Sequence, residues 1–323
     1  MQITLKQAAQ KIQAANKILV TAHILPDGDA VGSTLAMLQI LRSIGKSAQV
    51  FIDDTVRANL HALPHFDEIR RPAADEKFDA DLLLILDTEP GRIGNVRNLT
   101  DAPILNIDHH VTNSGEDYDL YLEHEAAATC EIVFDFAREL GAEITLDVAT
   151  CIYTGIATDT GFFQYSNTRA KTLRTVSELV TCGVRPNEIS EQLEKKSLAE
   201  VRDMCRALQS ARIYFSGKVA GIFLTRAEST EGFIDLIRVI NGVDVAFMIN
   251  EKAPNFCRVS MRSKGVDVAT IADSLGGGGH VRAAGCTLKT SIDEATKILV
   301  AAIGKALHVE NPSDAGTLLA DIA

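Results

Sequence analysis

The segment TAHILPDGDAVGS, residues 21–33, sets His23, Asp27 and Asp29 within seven positions, directly behind the apolar run KILV. Residues of these types can ligate a metal ion, move a proton or cap a helix. The pattern recurs: LLLILDT carries Asp87, and PILNIDHH carries Asp108, His109 and His110, each just past an apolar run. Asp159 closes the stretch LDVATCIYTGIATD. A single aspartate at a strand end is ordinarily a helix cap or a solvated turn residue. Several on one edge are different, because clustered carboxylates repel one another unless cations compensate. Mixed carboxylate and imidazole donors suit divalent ions of intermediate softness, Mn²⁺ ahead of Mg²⁺. So many donors exceed the needs of one ion, and two ions sharing a carboxylate fit better. In His-x-x-x-Asp-x-Asp, a turn at Pro26 and Gly28 is expected to aim Asp27 and Asp29 at adjacent ions, with Gly28 removing bulk between them.

The elements that must position these groups follow from the hydropathy pattern. KILVTAH, SAQVFID, DLLLILDT and PILNIDHH read as strands; DAVGSTLAMLQILRSIG, TCEIVFDFARELG and LDVATCIYTGIATD read as helices. Apolar strands without alternation, separated by helices, predict an α/β domain with a parallel sheet and helices on both faces. His23, Asp87 and Asp108 to His110 then fall at the carboxyl ends of their strands, where open parallel sheets bind ligands. In AAATCEIVFDF, Thr129 reads as an N-cap, an ordinary helix start.

From about 186 to 212 the chain turns charged and helical, RPNEISEQLEKKSLAEVRDMCRALQSAR, and reads as an interdomain helix or linker. Beyond it a smaller α+β domain is expected. It holds a hairpin of DVAFMINEK and NFCRVSMRS, a helix at VDVATIADSLG, the run GGGGH, a strand at VRAAGCTLK and a final helix. The boundaries read as 1–190 for the metal-binding domain, 191–212 for the linker, 213–311 for the second domain and 312–323 for a tail. The run GGGGH, residues 276–280, reads either as a flexible loop or as a phosphate cradle whose backbone N–H groups approach an anion, with His280 as a donor. Arg262 supplies a local cation.

Bulk properties limit the partners. The 323 residues are 46% hydrophobic and 23% charged, with a net charge of −11. That balance weighs against tracking a long nucleic acid through many phosphate contacts, but not against a small phosphorylated substrate. The six cysteines show no C-x-x-C pair, as expected of buried thiols in a reducing compartment. The opening MQITLKQAAQKIQAANK reads as an amphipathic helix, and the apolar runs are strand-length, so a cytoplasmic location and no membrane partner are expected.

AHILPDGDAVGS, LILDT, NIDHHVTN and GIATDTGFF together resemble the four successive motifs of the DHH phosphoesterase superfamily, and SLGGGGHVRAAGCT resembles the glycine-rich motif of its associated C-terminal domain. The match runs in order over most of the chain, with no ligand position substituted. The resemblance implies two divalent ions, Mn²⁺ with Mg²⁺ or Co²⁺ as alternatives. His23, Asp27 and Asp87 would hold one; Asp29, Asp87, His109 and Asp159 would hold the other. It further implies Asp108 as the group orienting an imidazole and His110 as the group facing the phosphate. Substrate contacts fall to Arg262, Gly277, Gly278, Gly279 and His280, with the active site in the cleft between the domains and water activated between the ions. RecJ-type exonucleases carry an added nucleic-acid-binding domain, and family II pyrophosphatases lack GGGGHxxAAG. The layout is therefore similar to the small NrnA-type branch, which implies hydrolysis of short RNA oligonucleotides and of 3′-phosphoadenosine 5′-phosphate. Cyclic or linear dinucleotide phosphodiesterases share this layout and stay as the alternative. A RecJ-like single-strand exonuclease and a catalytically silent nucleotide-binding protein stand behind them. Oligomeric state is left open, with a homodimer as the form the resemblance suggests.

Overall fold

A computed structural model describes residues 1–115, 117–227, 230 and 232–309, together with a short strand at Thr317–Leu318, and divides into two units, Met1–Lys195 and Lys196–Ala323. The tail expected over 312–323 lies outside the described residues apart from that strand.

In the first unit the order is α1 (Leu5–Ala14), β1 (Lys17–Thr21), α2 (Gly28–Ser43), β2 (Ser47–Phe51), β3 (Ile69–Arg70), β4 (Leu82–Leu86), β5 (Ile104–Asp108), β6 (Asp119–Leu122), α3 (Thr129–Glu139), α4 (Leu146–Asp159), α5 (Ala170–Thr181) and α6 (Pro186–Glu194). The strands make one parallel sheet in the order β3-β2-β1-β4-β5-β6. Because β1 and β4 are buried on both faces, they contain no polar alternation. Ile18, Val20, Leu84 and Leu86 pack with α1 to α4, whereas Leu19, Phe51, Leu83 and Ile85 pack against Ile93, Val96 and Leu99 in the 3₁₀ turns after β4. The strand order reverses between β1 and β4. At such a switch point the two flanking loops diverge and leave a crevice at the carboxyl ends.

The helices α2 and α4 cross closely because two glycines leave room. A Cβ at Gly32 would sit 2.5 Å from the carbonyl oxygen of Cys151, and one at Gly155 would sit 2.7 Å from Asp29 Oδ1 of α2 and 2.2 Å from Cys130 Sγ of α3. The charged stretch at 186–212 is two helices rather than one, α6 followed by α7 (Leu198–Gln209). The break has a local cause. Ser197 caps α7 by accepting from Glu200 N at 3.2 Å while Glu200 accepts from Ser197 N at 2.7 Å, a capping box that begins a new helix.

The second unit continues from α7 with β7 (Arg212–Tyr214), β8 (Val219–Thr225), α8 (Phe233–Arg238), β9 (Val245–Ala253), β10 (Phe256–Ser263), α9 (Val268–Ser274), β11 (Gly278–His280), β12 (Ala283–Leu288), α10 (Ile292–Ala306) and β13 (Thr317–Leu318). They form a mixed sheet in the order β11-β12-β10-β9-β8-β7-β13. One face buries Phe247, Val259, Met261 and Cys286 with Ile271, Leu299 and Ile303 from α9 and α10. The other buries Ile222, Ala246 and Met248 with Ala207 of α7 and Phe233 and Ile237 of α8. No helix among the described residues is long and apolar enough to cross a membrane.

Replacing Gly32 by alanine is expected to push α2 away from a backbone carbonyl that cannot swing aside, at a cost of about 2 kcal/mol. Urea denaturation of the variant tests this, and unchanged stability would show that the crossing has slack.

Candidate metal centre

The loop from β1 to α2 carries the first three groups. Its sharp turn is made at Leu25, in the left-handed region at φ 58°, and not at Gly28. Gly28 is already the first residue of α2, and the bulk it avoids is that of α4, where a Cβ would lie 2.3 Å from Thr158 Oγ1. Asp27 is the N-cap of α2 and accepts from Asp29 N at 3.1 Å and Ala30 N at 3.0 Å, both at Oδ1. The cap is also within reach of His23, whose Nε2 lies 3.7 Å from the same oxygen. Helix capping and ligand placement are therefore joint properties of Asp27.

Asp87 follows β4, buried, with its backbone at φ 62° and its N–H donating to Ile107 O at 3.0 Å. A left-handed backbone is costly for a non-glycine residue and is held here by the parallel strand beside it. The two carboxylate oxygens face different neighbours: Oδ2 is 3.4 Å from His23 Nε2, and Oδ1 is 3.5 Å from His109 Nε2 and 3.8 Å from His110 Nδ1. Asp159, at the end of α4, comes within 3.5 Å of His109 Nε2. Within the first unit, three sets of donors each lie within 4.8 Å of one another: His23, Asp27 and Asp87; Asp29, Asp87 and His109; and Asp87, Asp108 and His110. Asp87 is common to all three.

The imidazoles are held from behind. His23 Nδ1 lies 2.8 Å from Ile24 O, and His109 Nδ1 lies 3.3 Å from Ala126 O. A carbonyl only accepts, so each Nδ1 carries hydrogen and each Nε2 faces the carboxylates. The Nε2 to carboxylate distances of 3.4–3.7 Å exceed a good hydrogen bond, but suit donors arranged around a shared cation.

Asp108 plays a different part. Its Oδ1 accepts from His110 Nδ1 at 2.7 Å and from the N–H groups of His109 and His110 at 2.7 and 3.1 Å. The imidazole it orients is thus that of His110. Behind it runs a network that the sequence did not disclose. Asn113 Nδ2 donates to Asp108 Oδ2 at 2.7 Å and Asn106 Oδ1 at 2.6 Å, while Tyr118 Oη donates to Asn113 Oδ1 at 2.6 Å. Asn106 is fully buried and donates to Ile85 O and Thr88 O.

The expectation for Thr129 is corrected. The cap of α3 is Ala128, without a side-chain bond, and Thr129 is the first helical residue. The N–H groups of Thr129 and Cys130 donate to the two oxygens of Asp29 at 2.6 and 2.8 Å, so the amino end of α3 holds a carboxylate from α2. Nothing in AAATC signals this contact, which joins residues about 100 positions apart.

Electrostatics follow from crowding. Burial works against a charged His23, yet Asp27 and Asp87 raise it to about 11. Burial likewise opposes the charge on His109, which Asp87 and Asp159 raise well above the usual imidazole range. Despite burial, Asp87 is held well below the usual carboxylate range by His109 and His23. Burial, then the charges of Asp87 and Asp159, push Asp29 well up. Burial pushes Asp159 to about 7 against the pull of His109, with Asp27 and Asp87 adding to the rise. Without a cation, protons must screen this cluster. Divalent ions would do so with the same donors, and the residues fit them.

In the second unit, Arg262, Ala283 and His280 stand opposite one another across β10, β12 and β11 and so share a face of the sheet. Arg262 Nη1 donates to Met261 O at 3.0 Å, and its buried Nε has no hydrogen-bond partner. Arg282 is tied to Val266 O at 3.2 Å. The glycine run is no loose loop, since Gly278 begins β11 and pairs with Gly285. Gly277 and Gly279 pack against β12 so tightly that a Cβ would lie 2.1 Å from Gly285 O and 2.6 Å from Ala283 O respectively. A Cβ at Gly278 would meet nothing within 4 Å. Gly276 to Gly278 border a cleft of about 460 Å³ that is also lined by Asn250, Arg258 and Ser260.

Comparisons with known proteins identify the family. The profile of the DHH family, N-terminal domain, matches residues 17–156, and that of the DHHA1 domain matches residues 216–307. A bifunctional oligoribonuclease and PAP phosphatase NrnA of Thermus thermophilus is 34% identical over 90% of this chain and 90% of its own. The Bacillus subtilis protein of the same name is 28% identical over 89% of this chain and 94% of its own. Among solved structures, an exopolyphosphatase-related protein from Bacteroides fragilis superposes with a TM-score of 0.85 at 26% identity, covering 93% of this chain and 95% of that one.

The raised imidazole of His23 has a consequence for stability. The folded chain holds this proton more tightly than the unfolded one, so its contribution is complete below 6.5 and is lost as pH rises toward about 11. Asp159 acts in the same sense between 3.8 and about 7. The Tm of the metal-free chain is expected to fall from about pH 7 to about pH 10, and saturating Mn²⁺ should flatten the fall by replacing the protons. A metal-free Tm independent of pH across this window would contradict the arrangement.

Proposed function

The chain belongs to the DHH family of phosphoesterases, and from that premise we propose that it is a Mn²⁺-dependent hydrolase of short RNA oligonucleotides and of 3′-phosphoadenosine 5′-phosphate. The observation that carries the reading is Asp87, a buried carboxylate whose two oxygens serve two different sets of donors at the switch point of a parallel sheet. The substrate class is supported by the NrnA relatives, whose coverage of both chains is near complete.

In this reading His23, Asp27 and Asp87 hold one ion, while Asp29, Asp87, His109 and Asp159 hold the other. Divalent ions held there would supply Lewis acidity and lower the pKa of a nearby water. Chain residues do the rest. The carbonyls of Ile24 and Ala126 keep hydrogen on Nδ1 of His23 and His109, which leaves Nε2 as the donor atom. Asp108 accepts from His110 Nδ1, so His110 acts on the phosphoester through Nε2, steadying charge on the departing oxygen. The α3 N–H groups donate to both oxygens of Asp29 and so fix its aim. Arg262, Gly277, Gly278, Gly279 and His280 are assigned to substrate. The uncrowded Gly278 supports this, because nothing in the protein itself demands a glycine there. A cytoplasmic location and a homodimer complete the proposal. The Cys130 thiol has no part in the chemistry, since burial and then Asp29 push it well above its usual range.

Asp87→Ala is expected to release both ions and lower turnover by several orders of magnitude; unchanged Mn²⁺-dependent activity would remove the shared-carboxylate assignment. The substrate is tested by a parallel assay of 3′-phosphoadenosine 5′-phosphate, a two- to five-nucleotide RNA, a cyclic dinucleotide, long single-stranded DNA and pyrophosphate. The first two are expected to lead. A lead for pyrophosphate or long DNA would overturn the proposal, and a lead for the cyclic dinucleotide would move it to a phosphodiesterase.

A further inference from the structure

Thr129 lies in the middle of the cluster without being one of its ligands. It is fully buried, and its Oγ1 donates to Asp87 Oδ1 at 3.1 Å. That contact is the shortest of the four to the Asp87 side chain, the imidazole nitrogens lying at 3.4, 3.5 and 3.8 Å. A carboxylate has no hydrogen to give, so the hydroxyl hydrogen points at Oδ1 and leaves that oxygen a second lone pair.

The backbone of Asp87 is already fixed, at φ 62° and by its N–H bond to Ile107 O. The carboxylate plane is not. The last torsion of an aspartate is broad and roughly two-fold, and small rotations cost little. Yet the division of labour between the oxygens depends on that plane, because Oδ2 faces His23 and Oδ1 faces His109. Rotation would turn a bridge into a ligand for one side alone. Thr129 is well placed to prevent it, because its own backbone is anchored through the bond from its N–H to Asp29 Oδ2 at 2.6 Å. One residue thus touches two carboxylates from two other elements. A threonine in the first turn would ordinarily cap its own helix, but this hydroxyl is directed across to Asp87 instead.

We propose that Thr129 is a positioning residue that sets the plane of the Asp87 carboxylate and so keeps it shared between two ions. Its hydroxyl engages the oxygen on the His109 side, so the ion held with Asp29 and His109 depends on it more than the ion held with His23 and Asp27. The assignment rests on the two-ion reading above.

The test is Mn²⁺ binding to the full chain, followed by calorimetry and by the electron paramagnetic resonance signal of an exchange-coupled Mn²⁺ pair. Thr129→Val, which keeps the branched shape and removes the hydroxyl, is expected to lower the affinity for one ion about 10- to 100-fold and leave the other unchanged. The coupled-pair signal should be lost at Mn²⁺ concentrations that give it fully in the wild type. Thr129→Ser, which restores the hydroxyl, should restore both the second ion and the signal. With Mn²⁺ raised to saturation, Thr129→Val should recover most of kcat, because the residue touches no reacting atom. Two wild-type affinities in Thr129→Val, an equal fall in both, or Thr129→Ser behaving like Thr129→Val would each overturn the assignment. Should Thr129→Val fail to fold, Thr129→Ser and Thr129→Cys decide by the same readouts, with loss of the pair expected only for the weak thiol donor. A wild-type chain that takes up fewer than two ions would overturn the two-ion reading and this assignment together, which separates that failure from one confined to the variants.

Discussion

Mutual repulsion among buried carboxylates is the constraint around which the first unit is organised. Asp29 and Asp87 are almost wholly buried and Asp159 is three-quarters buried; Asp87 faces the imidazoles of His23 and His109, and Asp29 and Asp159 face that of His109, across a few ångströms. Packing alone does not compensate such a cluster, and charges left uncompensated in a dry interior are costly. The protein meets the problem with fixed dipoles and protonated imidazoles: the amino ends of α2 and α3, the hydroxyl of Thr129 and the carbonyls behind each histidine. What these leave is a concentrated negative site with every donor turned inward, which is the condition for binding divalent ions tightly.

Much of this was legible in the sequence because it is local. His23, Asp27 and Asp29 are placed by one strand and one helix start, and Asp87 and Asp108 by the ends of apolar runs too short to be anything but strands. The bounds of α4 were readable for the same reason, since the apolar stretch runs from Leu146 to the ligand-type residue Asp159 without a proline. Local pattern failed where a residue serves something distant. Gly28 looked like a turn residue and is a helix residue cleared for Thr158; Thr129 looked like a cap and serves Asp87, 42 positions away. Asn106, Asn113 and Tyr118 carry no sequence signature at all, because a buried amide is recognisable only once its partners are in place.

The cap at Asp27 shows why asking whether a residue is structural or functional can be the wrong division. An N-cap carboxylate accepts backbone N–H bonds at one oxygen and retains further lone pairs. Here those lone pairs face His23, so the residue that starts α2 also turns its charge into the crevice. The arrangement would couple folding to the binding of any ion held in the crevice. Fraying of the first turn of α2 would misplace Asp27 and Asp29 together, and neutralising Asp27 would remove a cap as well as a candidate ligand.

The second unit follows a different logic, in which backbone rather than side chains makes the surface. In β11 and the turn before it, Gly277 and Gly279 are required by the closeness of β12, and Gly276 by its positive φ of 75°. These three would be glycine in a protein that bound nothing. Gly278 has no such reason, with open space where its Cβ would be and a conformation outside the left-handed region. It borders the cleft in which Asn250, Arg258 and Ser260 present a neutral amide, a guanidinium and a hydroxyl on the sheet face opposite α9 and α10. With Lys252 and Arg258 as its two cations, neutral hydrogen-bonding groups and bare backbone, this surface has the chemistry to take a phosphorylated ligand.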